Sequence, residues 1–171
     1  MPACYEMIKC VQFGYSTIVR NSILGGDVMK LNTHYFGELD VRDDQIINFV
    51  NGIMGFEDKK KFAIVNNFDT EEPVPFFWLQ SVDDPELAFV LTVPFIFRPD
   101  YAFELPKETE DALHITNKSE LGIYSIVTIP GEIKDFTYNL MGPIVVNYST
   151  REGDQVVLYN ENFSLHESFR S

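Results

Sequence analysis

Apolar and polar positions along this chain fall into short runs separated by turn residues, a pattern that predicts strands rather than helices. The densest stretch is residues 76–97, FFWLQSVDDPELAFVLTVPFIF. Its first run, FFWLQS, is rich in aromatic residues and its second, LAFVLTV, is almost continuously apolar, so both are expected as central strands. Between them Asp83-Asp84-Pro85-Glu86 supplies turn chemistry: Asp side chains accept from nearby backbone N–H groups, and proline pre-sets φ while removing a ladder donor. The two runs therefore predict a hairpin, with Trp78, the single tryptophan, as a core anchor.

Upstream, residues 30–36 and 38–41 read as strands about Gly37, residues 46–49 as a short edge-like strand, and residues 62–65 as another. Gly52 and Gly55 mark tight turns, without the spacing of a phosphate loop. Residues 57–61, EDKKK, place acids before bases and suit one helical turn. Residues 66–75 form a polar, acidic loop. Downstream, residues 94–101, PFIFRPDY, set aromatic side chains between prolines, which predicts a covered edge or a patch that a partner covers. Residues 107–113, after Pro106, are the one convincing helix, with acids where the dipole favours them. Residues 121–129 and 136–141 predict a second hairpin, and residues 144–148 and 155–159 a third about a turn at 150–154. About nine short strands and one short helix argue for an all-β, mainly antiparallel fold, a small β-barrel-like structure or a sandwich. Residues 1–28 lack a clean period, residues 23–27 read as a flexible joint, and Met29 looks like a second beginning. The expected division is an extension over 1–28, a β domain over 29–159 and a polar tail over 160–171.

Charge narrows the partners. Thirteen Lys and Arg stand against 26 Asp and Glu, a net charge of −13 that opposes any polyanion, so direct nucleic-acid binding is not expected and a basic protein partner would be steered in. The two cysteines, Cys4 and Cys10, both fall in the N-terminal extension, which excludes a disulfide framework in the body of the chain. No apolar run has the length of a membrane span, and no basic region leads an uninterrupted apolar one at the N-terminus, so no membrane is expected and the protein reads as cytoplasmic.

The sequence carries little catalytic chemistry. His34, His114 and His166 are far apart and none lies in a metal-binding spacing, so neither a metal nor another cofactor is expected. There is no Gly-x-Ser-x-Gly elbow, and Asp83-Asp84-Pro85-Glu86 lacks the alternating ligands of a calcium loop; no catalytic residue is assigned. With 26 acids on a β fold, two carboxylates facing across a cleft remain conceivable. The residues by themselves thus leave two readings open, an acidic β-rich binding protein and a carboxylate-based hydrolase or carbohydrate-binding β protein.

Four blocks add to this: MKLNTHYFGELDV from Met29, INFVNGIMGFEDKKKF, FFWLQSVDDPELAFVL with the following PFIFRPDY, and FTYNLMGPIVVNYSTREGDQVVL. In these blocks and their order the chain resembles the FliW family of flagellar assembly factors over residues 29–159. The resemblance implies a small β-barrel-like protein without catalytic activity that alternates between two partners. One is flagellin, held in the cytoplasm before export; the other is CsrA, a small basic RNA-binding repressor of flagellin translation. Flagellin that occupies the FliW-like protein leaves CsrA free to repress, and export reverses this. An exposed apolar groove would suit the amphipathic flagellin termini, with Phe95, Phe97, Pro99 and Tyr101 as candidate contacts. For CsrA the candidates are Asp83, Asp84 and Glu86, with Glu71 and Glu72 as a second acidic group. Asn51, Gly52, Gly55, Asn139, Pro143 and Asn147 belong to the same blocks and are expected to be structural.

Overall fold

A computed structural model describes residues 27–65 and 74–169. Over these the strands are β1 (Val28–Thr33), β2 (Gly37–Arg42), β3 (Ile46–Phe49), β4 (Lys61–Val65), β5 (Phe76–Ser81), β6 (Ala88–Thr92), β7 (Leu121–Thr128), β8 (Thr137–Tyr138), β9 (Ile144–Asn147), β10 (Glu152–Gln155) and β11 (Glu167–Ser168). Two short helices, α1 (Pro94–Phe97) and α2 (Lys107–Ala112), lie between β6 and β7. Seven strands close into a barrel in the order β7-β6-β5-β4-β3-β10-β9 and back to β7. Every neighbouring pair in the ring is antiparallel except β3 and β10, which run parallel. Of the two architectures the sequence allows, the barrel is the one formed.

Strand alternation fills the interior. Phe49 on β3, Phe62 on β4, Phe77 and Leu79 on β5, Leu91 on β6, and Ile144 and Val146 on β9 point into one cluster, each at most 1% exposed. Tyr124 on β7 joins them, its hydroxyl paired with that of Tyr148. The outer faces of β7 and β9 are apolar too: Ile123, Val127 and Val145 pack with Tyr101, Leu113, Tyr138, Leu140, Val156 and Leu158 in a second cluster. Burial on both faces explains why the run LGIYSIVT shows no alternation. A third, smaller cluster sets Leu31 and Val41 of the β1–β2 hairpin on Ala63 of β4.

The fold departs from the sequence expectations at six places. β3 is not an edge, because it pairs with β4 on one side and β10 on the other. Residues 57–61 form no helical turn; the N–H groups of Lys60 and Lys61 donate instead to Asp83 Oδ2, at 2.8 and 2.9 Å, as β4 begins. Residues 94–97 are helical rather than an edge. Residues 136–141 give only the two-residue β8, because the other half of β7 is taken by β9. The third hairpin is shifted, its return strand being Glu152–Gln155, residues that read as a turn. Gly153 permits this close passage, since a Cβ there would lie 3.0 Å from Ile47 Cγ2 and 3.1 Å from the Phe49 ring. Residues 160–169 are no loose tail: β11 pairs with β8, and Phe163 and Phe169 pack on the second cluster. Residues 1–26, including both cysteines, and residues 66–73, including Glu71 and Glu72, lie outside the described residues.

Trp78 is an anchor, but not inside the barrel. It sits half-buried on the outer face of β5, stacked on Tyr35 with centroids 5.5 Å apart and met edge-on by Phe36 at 5.2 Å. It thus fixes the tip of the β1–β2 hairpin to the barrel wall.

Candidate protein-binding surface

Loop 50–60, between β3 and β4, and turn 82–87, between β5 and β6, meet at one end of the barrel. The loop is held by its backbone. Val50 N–H donates to the Gly153 carbonyl at 3.0 Å, Met54 N–H to Gln155 Oε1 at 2.9 Å, and Asn51 Nδ2 to Asp154 Oδ2 at 3.0 Å. Gly52 has φ +81°, and a Cβ there would sit 2.7 Å from Glu57 Cα, so only glycine fits without strain. The N–H of Gly55 donates to the Glu57 carboxylate at 2.9 Å and holds its pKa below the usual carboxylate value. This path turns Ile53 inward, 1% exposed, and leaves Val50, Met54 and Phe56 outside, 41%, 54% and 38% exposed. Phe56 rests edge-on against Phe89 at 5.3 Å.

The adjoining turn carries the acids. Asp83 spends one carboxylate oxygen on the Lys60 and Lys61 N–H groups. Asp84 receives Glu86 N–H on its side chain at 3.2 Å and lies 3.6 Å from Lys59, which also reaches Asp58 at 3.2 Å. The Asp58 hydrogen bond, foremost, raises the Lys59 pKa. Beneath the turn, Gln80 is fully buried and its Nε2 donates to the carbonyls of Ser81, Pro85 and Leu87. Glu86 has an open carboxylate, its side chain 79% exposed and 3.6 Å from His34 Nδ1; Asp83 is exposed as well, with one oxygen engaged. Among the described acids of the sequence prediction, Glu86 and Asp83 are exposed and Asp84 is half-buried, and Asp83 also builds the turn.

The predicted apolar contacts are placed differently. Tyr101 is 2% exposed and donates its hydroxyl to the Leu140 carbonyl at 2.7 Å; burial raises its pKa. Phe97 is half-buried against Phe169, centroids 4.7 Å apart, and against Tyr138 at 6.0 Å. Phe95 lies 5.7 Å from the Tyr101 ring and packs on both large clusters. These three side chains build the core and do not line an open groove; Pro99 is exposed, and α1 presents Ile96 outward, 49% exposed. The exposed apolar set at Val50, Met54 and Phe56 escaped sequence reasoning. Its one signal was an apolar run punctuated by two glycines, and which side chains such turns expel follows only from their φ values.

Among the described residues no three His, Cys, Asp or Glu side chains gather as a metal site, and no helix is long and apolar enough to cross a membrane. Asp154, the buried carboxylate among them, is matched with the Asn51 amide rather than with a second acid. Two further amides of the shared blocks serve the backbone: Asn139 Oδ1 accepts from Met141 and Gly142 N–H, and Asn147 donates to the Leu113 carbonyl.

The family model described as FliW protein matches residues 30–169. The chain belongs to the FliW family. It is 44% identical over 133 residues to the flagellar assembly factor FliW of Alkaliphilus metalliredigens, covering 78% of this chain and 81% of that relative. Against the flagellar assembly factor FliW of Caldanaerobacter subterraneus subsp. tengcongensis the identity is 41%, covering 80% and 90%. A crystal structure of the flagellar assembly factor FliW superimposes with a TM-score of 0.75 at 36% identity, over 82% of this chain and 96% of the other. The FliW match runs on through Phe163 and Phe169, in keeping with their packing against the barrel.

Proposed function

We propose that this FliW-family chain is a non-catalytic flagellar assembly factor that works in the cytoplasm by partner exchange. It holds flagellin before export and alternately binds the translational repressor CsrA, relieving CsrA repression of flagellin synthesis. The observation that supports this reading best is the barrel end at which exposed Val50, Met54 and Phe56 adjoin the acidic turn. An apolar patch beside an acidic one suits recognition of proteins. An amphipathic flagellin segment would lay its apolar face on the first set, and a basic CsrA surface would meet Glu86 and its neighbours. Lys59 bridges Asp58 of the loop and Asp84 of the turn, so two bulky partners at this end would collide, a simple basis for exclusive binding. The barrel interior is filled by side chains, in keeping with recognition on the outside. The alternative, a carboxylate-based hydrolase or carbohydrate-binding protein, gains nothing from Asp154, whose partner is an amide.

The test is competition. Purified protein is loaded with CsrA, challenged with flagellin of the same organism, and followed by size-exclusion chromatography. The expected outcome is release of CsrA as flagellin binds, weakened by Phe56→Ser. Independent, simultaneous binding of both would defeat the exchange mechanism, and binding of neither would defeat the reading as a whole.

A further inference from the structure

The β1–β2 hairpin does more than cover the barrel wall. At its tip Tyr35 is 55% exposed although one side of its ring stacks on Trp78. His34 meets Tyr35 edge-on, centroids 5.0 Å apart, and its backbone N–H donates to the Pro85 carbonyl at 3.2 Å. That bond joins the hairpin tip to the acidic turn, so an open aromatic ring and the open Glu86 carboxylate stand on one continuous surface. Hydrogen bonds hold the turn in place. Ser81 Oγ accepts from Asp84 N–H at 3.0 Å, Leu87 N–H donates to the Asp84 carbonyl at 3.0 Å, and Gln80 ties three carbonyls of the turn from below.

A ring face next to a carboxylate is the pair of features that a guanidinium or ammonium group reads together, one by cation–π attraction and the other by a charge-assisted hydrogen bond. The planar guanidinium does both at once, lying along the ring while its N–H fork reaches the acid. Apolar segments gain nothing from Glu86, and a polyanion is repelled by a chain of net charge −13. We infer that the hairpin tip around Tyr35, together with Glu86, is a preformed docking surface for an arginine side chain of a basic protein partner. Because turn and tip are already hydrogen-bonded in place, little ordering entropy is lost when the cation docks. In naming CsrA as that partner, the inference rests on the exchange reading above.

Trp78, the single tryptophan, lies directly under Tyr35 and reports on the surface without a label. Its emission in the full-length protein is followed during titration with CsrA, for the wild type and for Glu86→Gln, Tyr35→Ser and Tyr35→Phe. Glu108→Gln on α2 supplies the same change of charge away from the tip. The expected result is a saturable emission change, weakened about tenfold by Glu86→Gln and by Tyr35→Ser. Tyr35→Phe, which keeps the ring, and Glu108→Gln should bind like the wild type. Wild-type affinity in Glu86→Gln overturns the inference, whatever Tyr35→Ser shows, and leaves partner exchange standing. Should wild-type protein not bind CsrA, the exchange reading fails by itself, and a hexa-arginine peptide takes the place of CsrA in the same titration. An emission change abolished by Glu86→Gln then supports the surface, and its absence overturns it. The Glu86 side chain is 79% exposed and meets only His34, and its backbone N–H bond to Asp84 is kept in Glu86→Gln, so this variant decides the outcome even if Tyr35→Ser loosens the hairpin.

Discussion

Tyr124 and Tyr148 show what a single residue contributes here. Tyr124 is buried and Tyr148 half-buried, and each hydroxyl has the other as its hydrogen-bond partner. Burial pushes the Tyr124 hydroxyl up to about 12, and burial with its neighbour raises Tyr148 well above its ordinary value. In the unfolded chain both ionise near about 10, so above that pH the unfolded state sheds protons that the folded state keeps, and stability falls as pH rises. The contribution is complete below pH about 10 and is lost as pH approaches 12. Urea unfolding at a series of pH values should show a decline starting near pH ~10. Tyr148→Phe should cost about 1–2 kcal/mol at neutral pH, where Tyr124 loses its partner, and should make the alkaline decline shallower. A tyrosine flanked by apolar residues could be read as buried from sequence. That two of them, on β7 and just after β9, would meet inside one ring could not, because the contact exists only once the strands pair.

At the scale of the element, the C-terminal segment behaves unlike its composition. Residues 160–171 read as polar, yet Phe169 meets Phe97, Tyr138 and Phe76 with centroids 4.7, 4.7 and 5.7 Å away. Arg98, following α1, donates to Glu167 on β11 at 3.0 Å and fastens the same segment. Phe169→Ala should therefore destabilise the protein by about 1–3 kcal/mol in urea unfolding, where a true tail position would give about 0.5 kcal/mol or less. Two isolated phenylalanines have no periodicity for a sequence pattern to detect. The hairpins of β1–β2 and β5–β6, by contrast, were legible because each is local, alternating or apolar, and closed by turn residues. The acidic turn of the candidate site was legible for the same reason, and its apolar neighbour was not.

For the whole molecule, charge and closure matter most. A net charge of −13 should steer a basic partner, so its association rate should fall about tenfold or more between low and ~0.5 M salt while dissociation changes much less. Stopped-flow detection of Trp78 emission measures both. Rates indifferent to salt would show that the acidic surface takes no part in the encounter. Closure depends on the parallel pairing of Asn48 with Glu152, residues more than a hundred positions apart. That single ladder turns an edge-like run into an interior strand and carries loop 50–60 to the side of β10.

The sequence by itself determined the strand-forming runs, the turn at 83–86, the charge that favours basic partners and the blocks that mark the family. These depend on neighbours within a few residues, on a period of two, or on a sum over the chain, and none needs a third dimension. Only the tertiary structure decided that the sheet closes through β3 and β10, that Phe95, Phe97 and Tyr101 face the core, and that Val50, Met54 and Phe56 do not. Apolar side chains look alike in a sequence whether they line an interior or a surface. The distinction is made when distant strands pair and claim one face of each.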